Sequence, residues 1–491
     1  MKRIIYIFVA GLTGIFSLAS CSDWLDVAPN TDVPAKELFT TENGFQSALA
    51  GLYITMTDEN TYGKNLSFGL VEQLAQMYDK LPEGTTNRNS VYIYDRETSG
   101  AYNTKGVLAN VWQSQYNTIA NVNNLLRWWD NVGEVVLVDT ITRRMMRGEA
   151  LALRAFLHFD LLRGWGPMNY AGDMNARDMK CIPYRTVTDH SKQPLLPASE
   201  VVGYIIRDLK EASYYMSYEK ELDLSSRIDG RHFRFNYHAI NAMLARVYNY
   251  AGEKDSAAYY ARKVIEECGL VLESGNDNDP ILSKELIFGL NMHELKDNLS
   301  DYFAYGDKMA TKYYLKLSTL NSIFESVGSE SEDMRAKGTA FYRNNEQQCA
   351  ISLKYIDNDN EVIPLIRLPE MYYIACEASE GEDAAAFINF VRNKRGISKA
   401  KDVVCDTEEQ CIAALSKEYR KEFYAEGQYF WFLKQHGITG TLAYSPEVTL
   451  VAENFIFLLP DAEVEYGWVQ DEEGSEEETT KVSDTEIMPR N

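Results

Sequence analysis

The stretch from Ile141 to Arg163 constrains this chain most. It contains no proline and only one glycine, Gly148, so nothing in it breaks a backbone hydrogen-bond ladder, and it reads as one long helix. Helical spacing recurs on either side. Phe45, Ala48, Leu49, Leu52, Tyr53 and Met56 follow the i, i+3, i+4 rule, as do Leu108, Val111, Trp112, Tyr116, Ile119, Val122 and Leu126. Pro197-Ala198-Ser199 is expected to open a helix from Glu200 to Met216, with Ser199 as its N-cap. Between these helices, Gly164 to Leu196 carries Pro167, Pro183 and Pro194 and reads as loop.

Asn236 to Cys268 reads as a helical hairpin turning at Ala251-Gly252-Glu253-Lys254. Leu244, Ala245, Tyr248, Gly252 and Ala257 sit at tetratricopeptide-like offsets: small residues let two helices approach, and Tyr248 fills the space between them. Residues 108–130 and 141–163 form another expected pair, and Arg367 to Arg395 a further one, broken near Gly381-Glu382. Residues 408–433 read as one more long helix. The fold class is therefore mainly α, with stacked pairs forming a right-handed, solenoid-like scaffold. Asn276 to Ile363 is polar and mixed, and reads as loops with short helices or strands. Asp471 to Glu478 is dominated by acidic residues, so 467–491 is expected to be a disordered acidic tail.

The N-terminus carries its own chemistry. Lys2 and Arg3 precede an apolar run from Ile4 to Ala19, ending in Leu18-Ala19-Ser20-Cys21. The run is short for a membrane span, which needs about 20 residues, but it suits a signal peptide over residues 1–20. Small residues before a cysteine resemble a bacterial lipobox, with Cys21 the lipidated first residue of the mature chain. Acyl chains contribute roughly 0.8 kcal/mol per buried CH₂ and would hold the protein to a membrane.

Charge excludes one class of partner. The chain has 49 basic and 72 acidic residues, a formal charge of −23, which argues against nucleic acid. Neutral glycans, peptides and cations remain open as ligands. The 32 tyrosines pair flat apolar faces with hydroxyls, which suits sugar rings, although most must serve helix packing. Of the seven cysteines none forms a C-x-x-C. Cys405 and Cys411 could bridge a local loop, but buried free thiols are expected.

A set of ordered motifs resembles the SusD/RagB family over residues 18–466. Glu42-Asn43-Gly44-Phe45 to Gly51-Leu52-Tyr53 is similar to the family's first helix, and Trp112, Tyr116, Ile119 and Asn121 to its W-x₃-Y-x₂-I-x-N helix. Glu149 to Phe156, continuing to Trp165-Gly166-Pro167, resembles its EA-x₂-LRA helix and following turn. Val201 to Ala212, Arg367 to Tyr372, Ala375 to Ala378 and Asn389, Arg392 and Gly396 follow in order. Glu418 to Glu422 with Glu426-Gly427, and Leu459-Pro460 with Glu463, resemble the closing motifs. Gln428, Phe430-Trp431-Phe432 and the acidic tail depart from the pattern.

The resemblance implies one domain over 21–466, with tetratricopeptide-like helical pairs and an irregular ligand-binding half whose insertion spans about 276–363. It implies a non-enzymatic, cell-surface lipoprotein of the outer membrane that hands a glycan, or a peptide as in RagB-like members, to a SusC-like TonB-dependent transporter. It implies no cofactor. Ligands are expected at two segments, Tyr78 to Asn103 and Asn291 to Tyr314. The candidate contacts are Tyr78, Asp79, Arg96, Tyr102, Tyr302, Tyr305 and Tyr313. Rings can stack on a sugar face while Asp79 and Arg96 hydrogen-bond hydroxyls or polar peptide groups.

Competing readings are weaker. Glu418, Glu422 and Glu426 recur every four residues on one helical face, and paired carboxylates can act as a glycosidase acid and base, but helix ion pairs explain them better. Glu149 and Arg154 receive the same structural reading. The six histidines are scattered without metal-ligand spacing, and Gly63-Lys64 lacks the rest of a phosphate loop. A surface glycoside hydrolase and a pure protein-interaction scaffold are the alternatives.

Overall fold

The structure is a computed structural model. It describes residues 35–81, 89–92, 94, 104–189, 191–274, 279–326, 331–356 and 361–467. The expected leader, Cys21, Arg96, Tyr102 and the tail beyond Gly467 lie outside the described residues. No described helix is long and apolar enough to cross a membrane.

Helix α1 (Glu42–Thr55) starts at Thr41, whose hydroxyl accepts the Gly44 amide at 3.1 Å. Helix α2 spans Thr104–Val136 and α3 spans Thr140–Trp165, where Asp139 caps the Thr142 amide at 2.7 Å. From Gly148 onward α3 is buried on every side, so each of its polar side chains needs a partner inside the protein. Glu149 accepts from Tyr53 at 2.8 Å, Arg231 at 2.8 Å and Arg234 at 3.0 Å. Arg154 donates to Asp208 at 2.6 Å, and Asp160 accepts from Tyr62 at 2.7 Å. The EA-x₂-LRA motif thus ties the central helix to its neighbours, as the structural reading expects.

Helix α4 (Ala198–Tyr215) begins earlier than expected and has no side-chain cap; Ser199 lies within its first turn. The reason is tertiary. Strand β1 (Lys180–Ile182) pairs with β2 (Leu196–Pro197), so the helix grows directly out of a strand. The Ala198 amide then donates to Met179 O at 2.9 Å.

Helices α5 (Tyr237–Ala251) and α6 (Lys254–Glu267) form the expected hairpin. Gly252 closes α5 with φ +77°, and a Cβ there would meet Ala171 Cβ at 2.9 Å. Tyr248 is buried and stacks on Tyr260 with centroids 5.6 Å apart. Helix α7 (Leu368–Glu377) and α8 (Gly381–Lys394) make the next pair. Each helix from α2 to α8 packs against the next.

The expected single helix over 408–433 is instead two, α9 (Glu408–Glu422) and α10 (Gln428–Gln435). Ala425 and Gly427 take φ of +61° and +76°, which ends any α-helical ladder. The break lets the backbone approach residues 66–72: a Cβ at Gly427 would meet Ser67 O at 2.6 Å, and the Gly427 amide donates to Glu72 at 2.7 Å.

The irregular half holds short strands, as expected. β3 (Leu286–Asn291) will pair with a later strand; β4 (Leu315–Lys316), β5 (Phe341–Asn344) and β6 (Cys349–Ser352) form an antiparallel sheet in the order β4–β6–β5. β7 (Val362–Arg367) is the antiparallel partner of β3 and leads straight into α7. β8 (Gly440–Leu442) and β9 (Ser445–Leu450) make a hairpin.

Candidate ligand site and its support

The two segments expected to meet a ligand meet each other. The Asp79 amide donates to Tyr314 O at 3.0 Å. The Lys316 amide donates to Asp79 Oδ2 at 2.6 Å, and the Lys316 ammonium lies 3.3 Å from Oδ1. Tyr314 donates to Lys80 O at 3.2 Å. Asp79 therefore positions one segment on the other.

Three expected tyrosines form a stack. Tyr78 lies on Tyr313 with centroids 4.5 Å apart and planes within 8°, and Tyr313 lies 5.7 Å from Tyr302. Tyr78 and Tyr313 are buried, and their hydroxyls donate to Phe68 O at 2.7 Å and Gln73 Oε1 at 3.2 Å. These two rings are core: burial on both faces leaves no surface for a sugar in this conformation. Tyr302 is half-buried at the outer end of the stack, with the Lys64 ammonium 5.2 Å from its ring centre.

Tyr305 is the outlier. It is 44% exposed and packs edge-on against Tyr342, itself 40% exposed, with centroids 5.1 Å apart. Sequence reasoning missed Tyr342. Its signal was the Phe341-Tyr342 pair in a strand, where alternate side chains face opposite sides: Phe341 is buried and Tyr342 is outside. The turn after β5 is held by Asn344, which accepts the Glu346 and Gln347 amides at 3.0 Å each. Gln347 in turn donates to Gly306 O at 3.4 Å, linking this turn to the Tyr305 segment. Two half-exposed rings at a right-angled contact, on a supported turn, can offer one face to a planar apolar ligand surface and hydroxyls to its polar edge.

The catalytic alternative meets a different geometry. Glu418, Glu422 and Glu426 are buried and point into a cluster of guanidinium and ammonium groups. Arg392 meets Glu418 at 2.6 Å, Arg335 meets Glu418 at 2.8 Å, Arg367 meets Glu426 at 2.9 Å, and Lys354 also pairs with Glu426. Burial alone would raise the Glu418 and Glu422 carboxyls, but the surrounding arginines outweigh it and hold both below the usual carboxylate range. A glycosidase acid needs the opposite shift.

Glu72 does shift upward. Burial pushes its carboxyl to about 8, against the opposing pull of the Gly427 amide. A folded value above the unfolded one means that the folded state holds the extra proton. Its stabilising effect is complete below the unfolded value and is lost as pH rises through about 8. Replacing Glu72 with Gln removes that dependence. The variant is expected to melt higher than the parent at pH 8.5 and equally at pH 4; equal melting at both values would show that Glu72 ionises freely in the fold.

The comparisons with known proteins agree with this architecture. Residues 23–249 match the family model described as "Starch-binding associating with outer membrane", and residues 299–486 match that of the SusD family. SusD-like protein P38 of Formosa agariphila is 24% identical over 243 residues, covering 49% of this chain and 41% of that protein. SusD-like protein P2 of the same organism is 26% identical over 202 residues, covering 41% and 36%. The matched stretches thus span about two-fifths of these curated relatives.

Among solved structures, a SusD superfamily protein from Bacteroides thetaiotaomicron superposes with TM-score 0.68 at 20% identity, covering 87% of this chain and 98% of that one. A SusD-like carbohydrate binding protein from Bacteroides vulgatus gives 0.65 at 18%, covering 86% and 96%. The fold is that of a mainly helical, SusD-like protein. The chain belongs to the SusD/RagB family.

Proposed function

We propose that this protein is a non-enzymatic cell-surface lipoprotein that captures a glycan nutrient and passes it to a SusC-like TonB-dependent transporter in the outer membrane. The observation that carries the binding part is the half-exposed Tyr305–Tyr342 pair, whose Tyr305 belongs to the second ligand-expected segment. Family membership supports the choice of a glycan, and a RagB-like peptide ligand is the second reading. Arg96 and Tyr102 complete the proposed contact set from the first segment, with Tyr302 at its rim. The buried, arginine-paired carboxylates favour binding without turnover. Calorimetry against a panel of neutral oligosaccharides and peptides tests the reading. Saturable binding of an unaltered oligosaccharide supports it; hydrolysis of the sugar, or binding confined to peptides, overturns it.

The anchor and the partner rest on Leu18-Ala19-Ser20-Cys21 and on the family, and one experiment reads both. The wild-type protein is expected in outer-membrane fractions, copurifying with a large barrel after mild detergent extraction. Cys21→Ser is expected in the soluble fraction. A Cys21→Ser protein still sedimenting with membranes would refute the anchor, and repeated recovery of the wild type alone would refute the partner.

A further inference from the structure

Three cysteines converge in space, Cys405 and Cys411 from neighbouring turns of the chain and Cys376 from an earlier helix. Cys376 lies near the end of α7, Cys405 on the connection between α8 and α9, and Cys411 in the first turn of α9. Their sulfurs all lie within 4.8 Å of one another, and those of Cys376 and Cys411 are 3.8 Å apart. All three are buried, and none is in a disulfide.

A disulfide would use two of these sulfurs and strand the third. A single thiophilic cation uses all three. Zinc–thiolate bonds of about 2.3 Å in tetrahedral geometry set ligand sulfurs about 3.8 Å apart, which is the separation of Cys376 and Cys411. An all-thiolate set selects such an ion over the hard, oxygen-seeking cations magnesium and calcium.

Burial pushes the Cys405 thiol up to about 12, and burial together with the neighbouring sulfurs pushes Cys376 higher still. Each thiolate formed would repel the next. A divalent cation reverses that balance, and its entry displaces the thiol protons to solvent. Val404, next to Cys405, is 63% exposed, so the segment that carries Cys405 runs at the surface.

We propose that Cys376, Cys405 and Cys411 form a trithiolate site for a zinc-like, thiophilic divalent cation, whose fourth position takes water or an external ligand. The ion would staple α7, α9 and the 395–407 connection together, and it is independent of the ligand site at Tyr305.

The test uses the full chain, reduced and stripped of metal, titrated with cadmium and with cobalt as the probe ions. One equivalent of cadmium should produce a thiolate charge-transfer band in the ultraviolet, release protons and slow thiol labelling at Cys376, Cys405 and Cys411. Cys405→Ser should weaken binding at least tenfold, while Cys268→Ser, at a buried cysteine outside the cluster, should leave it unchanged. If Cys405→Ser does not fold, Cys411→Ala takes its place. No band at one equivalent, a band that survives the cluster variants, or a Cys376–Cys411 disulfide in the protein as isolated would each overturn the proposal.

Discussion

Replacing Glu422 with Gln is expected to destabilise the protein by about 3–5 kcal/mol, the usual cost of breaking a buried ion pair from one side. The geometry explains why the effect is large. Glu422 Oε1 accepts from Arg367 and Arg395 at 2.8 Å each, and Oε2 from Arg395 at 2.9 Å and Arg335 at 3.0 Å. Glutamine keeps the shape but turns one acceptor into a donor, which then faces guanidinium N–H groups. It also leaves Arg335, Arg367 and Arg395 buried with one negative charge fewer. Glu285, 2.7 Å from Arg395, cannot compensate for all three.

A surface pair sets the scale. Lys254 and Glu408 are 3.1 Å apart but more than half exposed, so Lys254→Ala should cost under about 1 kcal/mol. Because the Glu422 cluster is buried, raising salt should not rescue the Gln variant. Acid should mimic it. A carboxyl held below its unfolded value stabilises the fold above that value and loses the contribution as pH falls through the folded one. Glu325, held near 2 by Lys417 and Lys421 against the effect of its burial, acts in the same direction. His158 adds to this: burial drops it to about 3, so the unfolded chain takes up its proton first as pH falls below about 6.5. Denaturant midpoints at neutral pH decide the matter. A Glu422→Gln loss below about 1 kcal/mol would mean that the cluster is open to water.

The second large effect concerns binding. Tyr305→Ala combined with Tyr342→Ala is expected to weaken the cognate ligand about 100-fold. Each ring should contribute about 1–2 kcal/mol through contact and burial, and every 1.4 kcal/mol is tenfold in affinity. Both rings are half-exposed, so their removal should cost little stability. The rings touch each other, so the single variants need not add to the double one. Tyr→Phe at both positions separates ring stacking from hydroxyl hydrogen bonding: retained affinity would assign the energy to the faces. Tyr259→Ala removes an exposed ring from α6 and serves as the control. Unchanged calorimetric affinity in the folded double variant would move the site to the remaining proposed contacts.

Much of the scaffold was legible in the sequence because helices are local objects. The breaker-free run at 141–163 became α3, and the Gly252 turn appeared where the glycine stood, since left-handed backbone favours that residue. The structural role of Glu149 and of the Glu418 series was also legible, through the resemblance. Their partners were not. Arg335 and Arg367 lie 87 and 55 residues from Glu422, and no local spacing foretells that meeting. The break at Ala425 was hidden for the same reason. An alanine favours helix on its own, and only the approach of residues 66–72, which Gly427 permits and Glu72 bonds, requires the turn.

The ligand site divides along the same line. Sequence determined which two segments are rich in tyrosine and which family they resemble. Only tertiary structure decided that Tyr78 and Tyr313 stack inside the core while Tyr305 and Tyr342 stand outside. A tyrosine is suited to both environments, since its ring is apolar and its hydroxyl needs one partner. Which environment it occupies depends on what covers the ring, and that cover comes from residues hundreds of positions away, as Tyr78 against Tyr313 shows. Helical backbone hydrogen bonding is satisfied within a few residues and so can be read from spacing; burial is settled by the whole chain at once.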